Sequence, residues 1–315
     1  MVLDFDPFED PAHGQQEGVL FNGYYDSHCY LPLYLCGSAD GGRQYVIGAL
    51  LRGGRAGPVR GARFLLRKVV GAIRERYPGV QIIVRGDGGF GVPAMIECCR
   101  RLDVNFCFGK PQNRRLHALS EQAQMRAALG YTLRRRREGA GAKPYRVYGE
   151  FQYQAEGWEQ PERVVVKAEV TVGPDGAKLN PRFSVTDLGA EAGWSPRAVY
   201  GFYSDRGDPE NRIKEFTRDL AADRLSCHSF LANQFRLLLH VTAYMLYQAL
   251  QDALAVVAPG TEWAKAQVGT IRTRLLKVAA RVLDRCRAVR VQMPSSYPWQ
   301  MLWRKLLSAL QPAAG

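Results

Sequence analysis

This chain lacks any spacing that would hold zinc or a disulfide framework. Its seven cysteines (Cys29, Cys36, Cys98, Cys99, Cys107, Cys227 and Cys286) are odd in number and form no Cys-X2-Cys pair. Most sit inside apolar runs, so they read as buried free thiols of a reducing cytoplasm. Five histidines without paired spacing argue against zinc in the same way. Met1-Val2-Leu3 runs at once into acidic residues, so no signal peptide is expected. The most apolar stretch, Phe230 to Leu250, is interrupted by Asn233, Gln234, Arg236 and His240, and reads as a core helix, not a membrane span. No internal repeat, no long low-complexity tract and no Gly-rich phosphate loop of the P-loop type is present.

What the chain does have is positive charge. Its 315 residues carry 43 Lys and Arg against 30 Asp and Glu, a formal net charge of +13. Such a balance favours polyanionic partners, because every neutralised phosphate releases condensed counterions; the plain alternative is a protein that is merely basic. An apolar fraction of 46% and a charged fraction of 23% fit a folded globular protein. The length suits one large domain, or a domain with an insertion and an extension.

The patterning predicts a mixed α/β fold. Val2–Asp6 reads as a strand stopped by Pro7, and Cys29–Leu35 with Gln44–Leu51 as an antiparallel hairpin across a turn-rich segment. Val59–Tyr77 is helical, with Phe64, Leu65, Val69, Ala72 and Ile73 on its apolar face. Val80–Val84 is a buried strand ending at Gly86-Asp87, followed by a helix over 92–102 and a strand over 104–108. After Lys110 come a basic stretch and three alternating runs, 145–154, 163–172 and 182–187, which predict a β-rich insertion. From Trp194 the chain reads as helical, over 209–220, 229–257 and 262–291. Tyr244, Tyr247 and Phe235 fall at helical spacing and are expected in the core.

Three acidic motifs carry the chemical information. In Leu3-Asp4-Phe5-Asp6 the two acids share one face of a strand while Phe5 points to the core; they are either a functional pair or a solvated edge. Asp87 sits at the carboxyl end of a strand, where open α/β sheets place their sites, and Gly88-Gly89 leave room for a substrate backbone. Its plain reading is a turn or helix-cap aspartate. Asp208-Pro209-Glu210 reads as a helix start, with Asp208 as the N-cap. A glutamate is ordinary there, but Tyr203, Arg206, Glu210 and Lys214 bring an aromatic, two cations and an acid to one side of a helix. Three carboxylates from distant parts of a chain make an all-oxygen site, which selects Mg²⁺ or Mn²⁺. Arg134, Arg135, Arg136 and Arg137 form either a solvated face or a phosphate-binding strip.

Together these motifs resemble the DDE transposases of bacterial insertion sequences, in the branch whose third motif is Tyr, two residues, Arg, three residues, Glu, six residues, Lys. Tyr203, Arg206 and Glu210 stand in that register; Asp4-Phe5-Asp6 running on to Asp10-Pro11-Ala12-His13-Gly14-Gln15-Gln16 is similar to the first motif, and Arg85-Gly86-Asp87-Gly88-Gly89-Phe90 to the second. The likeness spans Leu3 to about Leu250. It implies an RNase H-like five-stranded mixed sheet flanked by helices. Residues 1–109 would be the first part of this core and 110–196 the β-rich insertion. Residues 197–222 would bring the core helix with the third acid, and 223–315 a C-terminal helical region.

The resemblance further implies catalysis by Asp6, Asp87 and Glu210 holding two Mg²⁺ or Mn²⁺ ions. Tyr203, Arg206, Lys214 and Arg218 would contact DNA, with Arg134 to Arg137 as an outer strip. The partners implied are transposon ends and target DNA, in a homodimeric complex, in the bacterial cytoplasm and not at a membrane. Three departures are visible. Phe8 replaces a threonine, Thr217 replaces the signature lysine so that Lys214 is expected to substitute, and the helical region that such enzymes carry before the first catalytic strand is not seen ahead of Met1. A catalytically inactive remnant that only binds DNA, or another RNase H-like nuclease, is the alternative.

Overall fold

A computed structural model describes residues 1–139, 141–173 and 176–310, with residues 207–212 and 214 described by their backbone alone. Strand β1 (Val2–Pro7) ends at its proline, as expected. Strands β2 (Asp10–Pro11), β3 (Leu20–Asn22) and β4 (Ser27–Tyr30) form a small sheet in the order β2-β4-β3. Strands β5 (Leu33–Ser38) and β6 (Tyr45–Leu50) make the antiparallel hairpin. The single strand predicted over Cys29–Leu35 is thus split between two sheets at Pro32, which has no N–H to give to a ladder. Helix α1 (Ala62–Arg76), β7 (Ile83–Gly86), α2 (Pro93–Arg101) and β8 (Asn105–Lys110) build two crossovers, so β1, β7 and β8 run parallel.

The predicted insertion contains two helices, α3 (Arg114–Leu119) and α4 (Glu121–Glu138), before β9 (Arg146–Tyr153), β10 (Glu162–Gly173), β11 (Gly176–Leu179) and β12 (Arg182–Thr186). Its strands join the main sheet: β12 pairs antiparallel with β8, matching Phe183 to Lys110 and Val185 to Phe108. The sheet therefore has nine strands and not five, in the order β11-β10-β12-β8-β7-β1-β5-β6 with β9 on β10. An unpaired β8 edge would expose a row of hydrogen-bonding groups, and β12 covers it.

Helices α5 (Pro196–Ser204), α6 (Gly207–Leu220) and α7 (Phe230–Val257) follow. The long helix predicted over 262–291 is absent. In its place stand short turns, α8 (Val268–Thr270) and an antiparallel hairpin of β13 (Arg281–Arg285) and β14 (Ala288–Gln292), before α9 (Gln300–Leu310). Val289-Arg290-Val291 alternates with period two and pairs with Val282 and Leu283 across a Cys286-Arg287 turn, which suits a ribbon better than a helix. No helix among the described residues is long and apolar enough to cross a membrane.

The sheet is covered on both faces. Leu3, Phe5, Leu35, Val84 and Phe106 pack against Leu66 and Val70 of α1 and Met95 and Ile96 of α2. On α1 the buried stripe includes Leu66 and Val70, leaving Phe64 half exposed. Across the sheet, Tyr34, Val46 and Leu51 pack against Ile213 and Phe216 of α6 and Leu237, Val241 and Tyr244 of α7. Phe235 is not in this core: it is 64% exposed, while Tyr244 is fully buried and Tyr247 half-buried. Five cysteines are buried, Cys227 is half-buried and Cys286 exposed, all as free thiols.

Side-chain alternation sends Leu3 and Phe5 to the α1–α2 face and Asp4 and Asp6 to the other. Asp4 is not on a solvated edge; it is fully buried. Arg85 clamps it through Nε to Oδ1 at 2.6 Å and Nη2 to Oδ2 at 2.8 Å, and Gln44 donates to Oδ2 at 2.6 Å. The Arg85 Nη1 donates to the Phe202 carbonyl of α5 at 2.5 Å, and its guanidinium stacks on the Phe202 ring. Removing one partner strands a buried charge, so Arg85→Leu is expected to cost about 3–5 kcal/mol in urea denaturation, with the double change Asp4→Leu, Arg85→Leu recovering a large part. A loss below about 1 kcal/mol for Arg85→Leu would remove the pair from the stability of the fold.

Asp10 of β2 is likewise buried, and its Oδ2 has no hydrogen-bond partner. Burial first, and the Asp223 carboxylate second, push its pKa from 3.8 up to about 8. The unfolded chain releases this proton near 3.8 and the native state only near 8, so the group penalises the native state increasingly between those values. Stability is expected to fall by up to about 1.4 kcal/mol per pH unit across that window. Asp10→Asn should flatten the dependence and raise the thermal midpoint at pH 8; an unchanged pH profile in this variant would show that Asp10 titrates normally.

Candidate active site

Register brings two acids toward one end of adjacent strands. Parallel pairing of β1 with β7 matches Val2 to Ile83, Leu3 to Val84 and Asp4 to Arg85. Asp6 and Asp87 each lie two residues beyond that pair, Asp6 within β1 and Asp87 in the turn that follows β7, so both stand toward the same end of two adjacent parallel strands. Both carboxylates act on one phenol: the Tyr25 hydroxyl is raised by burial first, and also by Tyr24, Glu9, Asp87 and Asp6.

Asp87 is oriented by its own turn. The Gly89 N–H donates to Oδ1 at 2.8 Å, and the Phe90 N–H to the Asp87 carbonyl at 3.1 Å. Phe90 stacks on Phe5 at 5.4 Å, seating the turn on the core. The two glycines do not leave the open approach that the sequence suggests. A Cβ on Gly89 would lie 2.6 Å from Pro58, and one on Gly88 would lie 3.1 Å from Pro111, so the chain itself occupies that room.

Tyr203, in the last turn of α5, and Arg206, in the turn that leads into the next helix, reach the same place. A Cβ on Gly109 would lie 2.5 Å from the Tyr203 hydroxyl and 2.8 Å from the Gly88 nitrogen, so only a bare β8 backbone lets this phenol settle beside the Asp87 turn. The Tyr203 hydroxyl is raised mainly by burial, with Arg206 opposing and Asp87 adding. The Arg206 Nη1 lies 3.6 Å from Asp6 Oδ1, and that buried nitrogen makes no hydrogen bond.

Helix α6 starts at Gly207 with Arg206, not Asp208, as its N-cap, and packs along β1. Glu210 lies in its first turns, but the side chains of Asp208, Glu210 and Lys214 are outside the described residues. Thr217, at the position of the missing lysine, is buried and its hydroxyl donates to the Ile213 carbonyl at 2.9 Å; Arg218 beside it is exposed. The predicted arginine run divides. Arg134 stacks on Tyr145 and donates to the Lys143 and Pro144 carbonyls, and Arg137 pairs with Glu138 at 3.0 Å. Arg135 and Arg136 are exposed in the last turn of α4.

Two residues here escape sequence reasoning. Tyr25 stands at the β3–β4 turn with Tyr24, which is 88% exposed. Two aromatics in a tight Gly23-Tyr24-Tyr25-Asp26 turn have no core to enter, and that was the available signal. Arg52 is buried and donates to the carbonyls of Leu31 at 2.7 Å, Pro58 at 2.8 Å and Gly57 at 3.2 Å, fixing the loop that packs on Gly89. Burial lowers its pKa to about 10, against the charge of Asp87, so it stays protonated at neutral pH. Beside the Asp87 turn a cleft of about 430 Å³ runs from Gly88 and Tyr203 to Lys110, Lys167 and Arg182.

The donors in place, Asp6 and Asp87, are oxygen-only and suit a hard divalent cation. Among the described residues no three His, Cys, Asp or Glu side chains are grouped for a metal, the third expected carboxylate being Glu210. A lysine at 217 would be buried, so Thr217→Lys is expected to lower the thermal midpoint and leave DNA affinity unimproved; tighter DNA binding with unchanged melting would overturn that.

The profile of the family described as transposase DDE domain, group 1, matches residues 1–314. No curated protein matches the chain. The chain belongs to the DDE transposases.

Proposed function

From that membership and the site's geometry we propose that this chain is a metal-dependent DNA transposase that hydrolyses phosphodiester bonds at insertion-sequence ends and joins the freed ends to target DNA. The observation that carries this reading is the contact of Arg206 with Asp6 at the end of β1, with the Tyr203 hydroxyl beside the Asp87 turn that follows the neighbouring parallel strand. The strand order β6-β5-β1-β7-β8, antiparallel from β6 to β1 and parallel from β1 to β8, supports an RNase H-like core. The extension by residues 110–196, the return at 197–222 and the C-terminal region from 223 are the divisions that go with it. Tyr203, Arg206 and Glu210 favour the Tyr-Arg-Glu-Lys branch.

Asp6, Asp87 and Glu210 would hold two Mg²⁺ or Mn²⁺ ions. When bound, such ions lower the pKa of an attacking water or 3′-hydroxyl and stabilise the leaving oxygen. The Gly89 N–H fixes Asp87 Oδ1, so the carboxylate is oriented before any ion arrives. The raised pKa keeps Tyr203 a neutral hydroxyl, a donor for a phosphate oxygen. Arg206 neutralises Asp6 in the free protein, and its planar fork suits a phosphate once the carboxylate is otherwise engaged. Lys110, Lys167 and Arg182 would line the path of the bound strand, and Lys214 and Arg218 would add contacts from α6. The working form on this reading is a homodimer on DNA in the bacterial cytoplasm.

Asp87→Asn is nearly isosteric but gives up the anionic ligand. It should abolish Mg²⁺- or Mn²⁺-dependent cleavage of an end-containing duplex, by at least about a hundredfold, while melting and DNA binding persist. Cleavage at the wild-type rate would take Asp87 out of the mechanism. A wild-type chain that binds duplex but cuts with neither ion would reduce the function to DNA binding alone.

A further inference from the structure

The positive charge of this chain is concentrated late in the sequence, well after the acidic motifs. Residues 258–315 hold ten Lys and Arg against two acids, a net of +8 out of the chain's +13. Within that stretch the β13–β14 hairpin stands apart: its strands pair with each other and pack extensively on no other described element.

Its register sorts side chains by chemistry. Cross-strand partners share a face, so Arg281 with Gln292, Leu283 with Arg290, and Arg285 with Ala288 make one side. Val282 with Val291, and Asp284 with Val289, make the other. The one acid of the ribbon is thus on the valine side, and the other side carries three arginines with a fourth, Arg287, at the turn. All four are exposed and form no ion pair among the described residues. The Arg290 stem lies opposite half-buried Leu283, which leaves its guanidinium free to reach outward.

We propose that this ribbon is a second DNA-docking element, separate from the residues that cut, that lays its arginine side into the major groove of a duplex. The dimensions suit that occupant. Five residues per strand span about 17 Å, and a two-stranded ribbon fits a groove about 12 Å wide. Arg281 and Arg285, four residues apart on one strand, set cations roughly 13 Å apart along the ribbon, with Arg290 between them on the other strand. The proposal shares its DNA partner with the function above but uses none of its carboxylates.

The test is the salt dependence of binding to a fluorescein-labelled mixed-sequence duplex, without divalent ions, for the full chain and for Arg281→Gln, Arg285→Gln, Arg287→Gln, Arg290→Gln combined. The slope of log binding constant against log salt is expected to shrink by roughly 3, and the matching four Arg→Lys changes to restore it. Guanine N7, which lies in the major groove, should be protected from methylation by the wild type and not by the Gln variant. An unchanged slope with wild-type N7 protection overturns the proposal, even where cleavage shows the catalytic reading to be right. A ribbon-dependent slope in a chain that never cuts supports the ribbon and sinks only the catalytic reading. If Val282→Thr, Val289→Thr and Val291→Thr instead dissociate a dimer in sedimentation while the Gln variant binds DNA normally, the ribbon is an interface between copies and the proposal falls.

Discussion

The buried Asp4–Arg85 pair is the interaction on which the arrangement of this protein turns. It joins register partners on β1 and β7, two residues before Asp6 and Asp87, and the same guanidinium holds the carbonyl of Phe202 on α5. A slip of β1 along β7 would leave a desolvated carboxylate facing apolar side chains, a cost of several kcal/mol that the ladder hydrogen bonds alone do not impose. One ion pair therefore ties the register of the two strands to the seat of the helix that carries Tyr203 and leads into Arg206.

The charge layout has a matching logic. Carboxylates gather at the ends of β1 and β7, with Arg206 and Arg52 close behind them. Further cations line the adjoining cleft of Lys110, Lys167 and Arg182, and the largest surplus lies beyond residue 258 in the sequence. A basic surface draws a polyanion from a distance, while a local cluster of acids would repel its phosphates unless cations intervene. Arg206 already intervenes beside Asp6, where its charge offsets that carboxylate.

Much of this was legible in the sequence, because strong local signals agreed with the tertiary structure. Pro7 stops β1, the apolar run before Gly86-Asp87 is a strand, and alternation in 146–186 marks strands that exist. Tyr203 and Arg206 were found by spacing and do meet Asp6 and Asp87. The failures share one cause, which is that burial is a property of the assembled molecule. Asp4 reads as an edge acid until Arg85, distant in sequence, is seen to pair with it. Gly88 and Gly89 read as room for a ligand until Pro58 and Pro111 fill that room. Phe235 has the spacing of a core residue but points outward, and the arginine-rich hairpin at 281–292 carries too few turn signals to be separated from a helix.

Strand β1, inside the sheet, precedes in the chain both strands it pairs with. β1 cannot pair until β5 and β7 emerge, and Arg206 follows Asp6 by 200 residues, which at ordinary translation rates is a delay of about 10–40 s. Long-range pairing of this kind folds slowly, so the strand-end acids spend that interval without the arginine that neutralises one of them. A ribosome that stalls before α5 would leave a chain with both acids and neither Tyr203 nor Arg206. Assembly of the site is thereby tied to synthesis through α5 and the turn after it, and a product terminated before Tyr203 and Arg206 cannot assemble it.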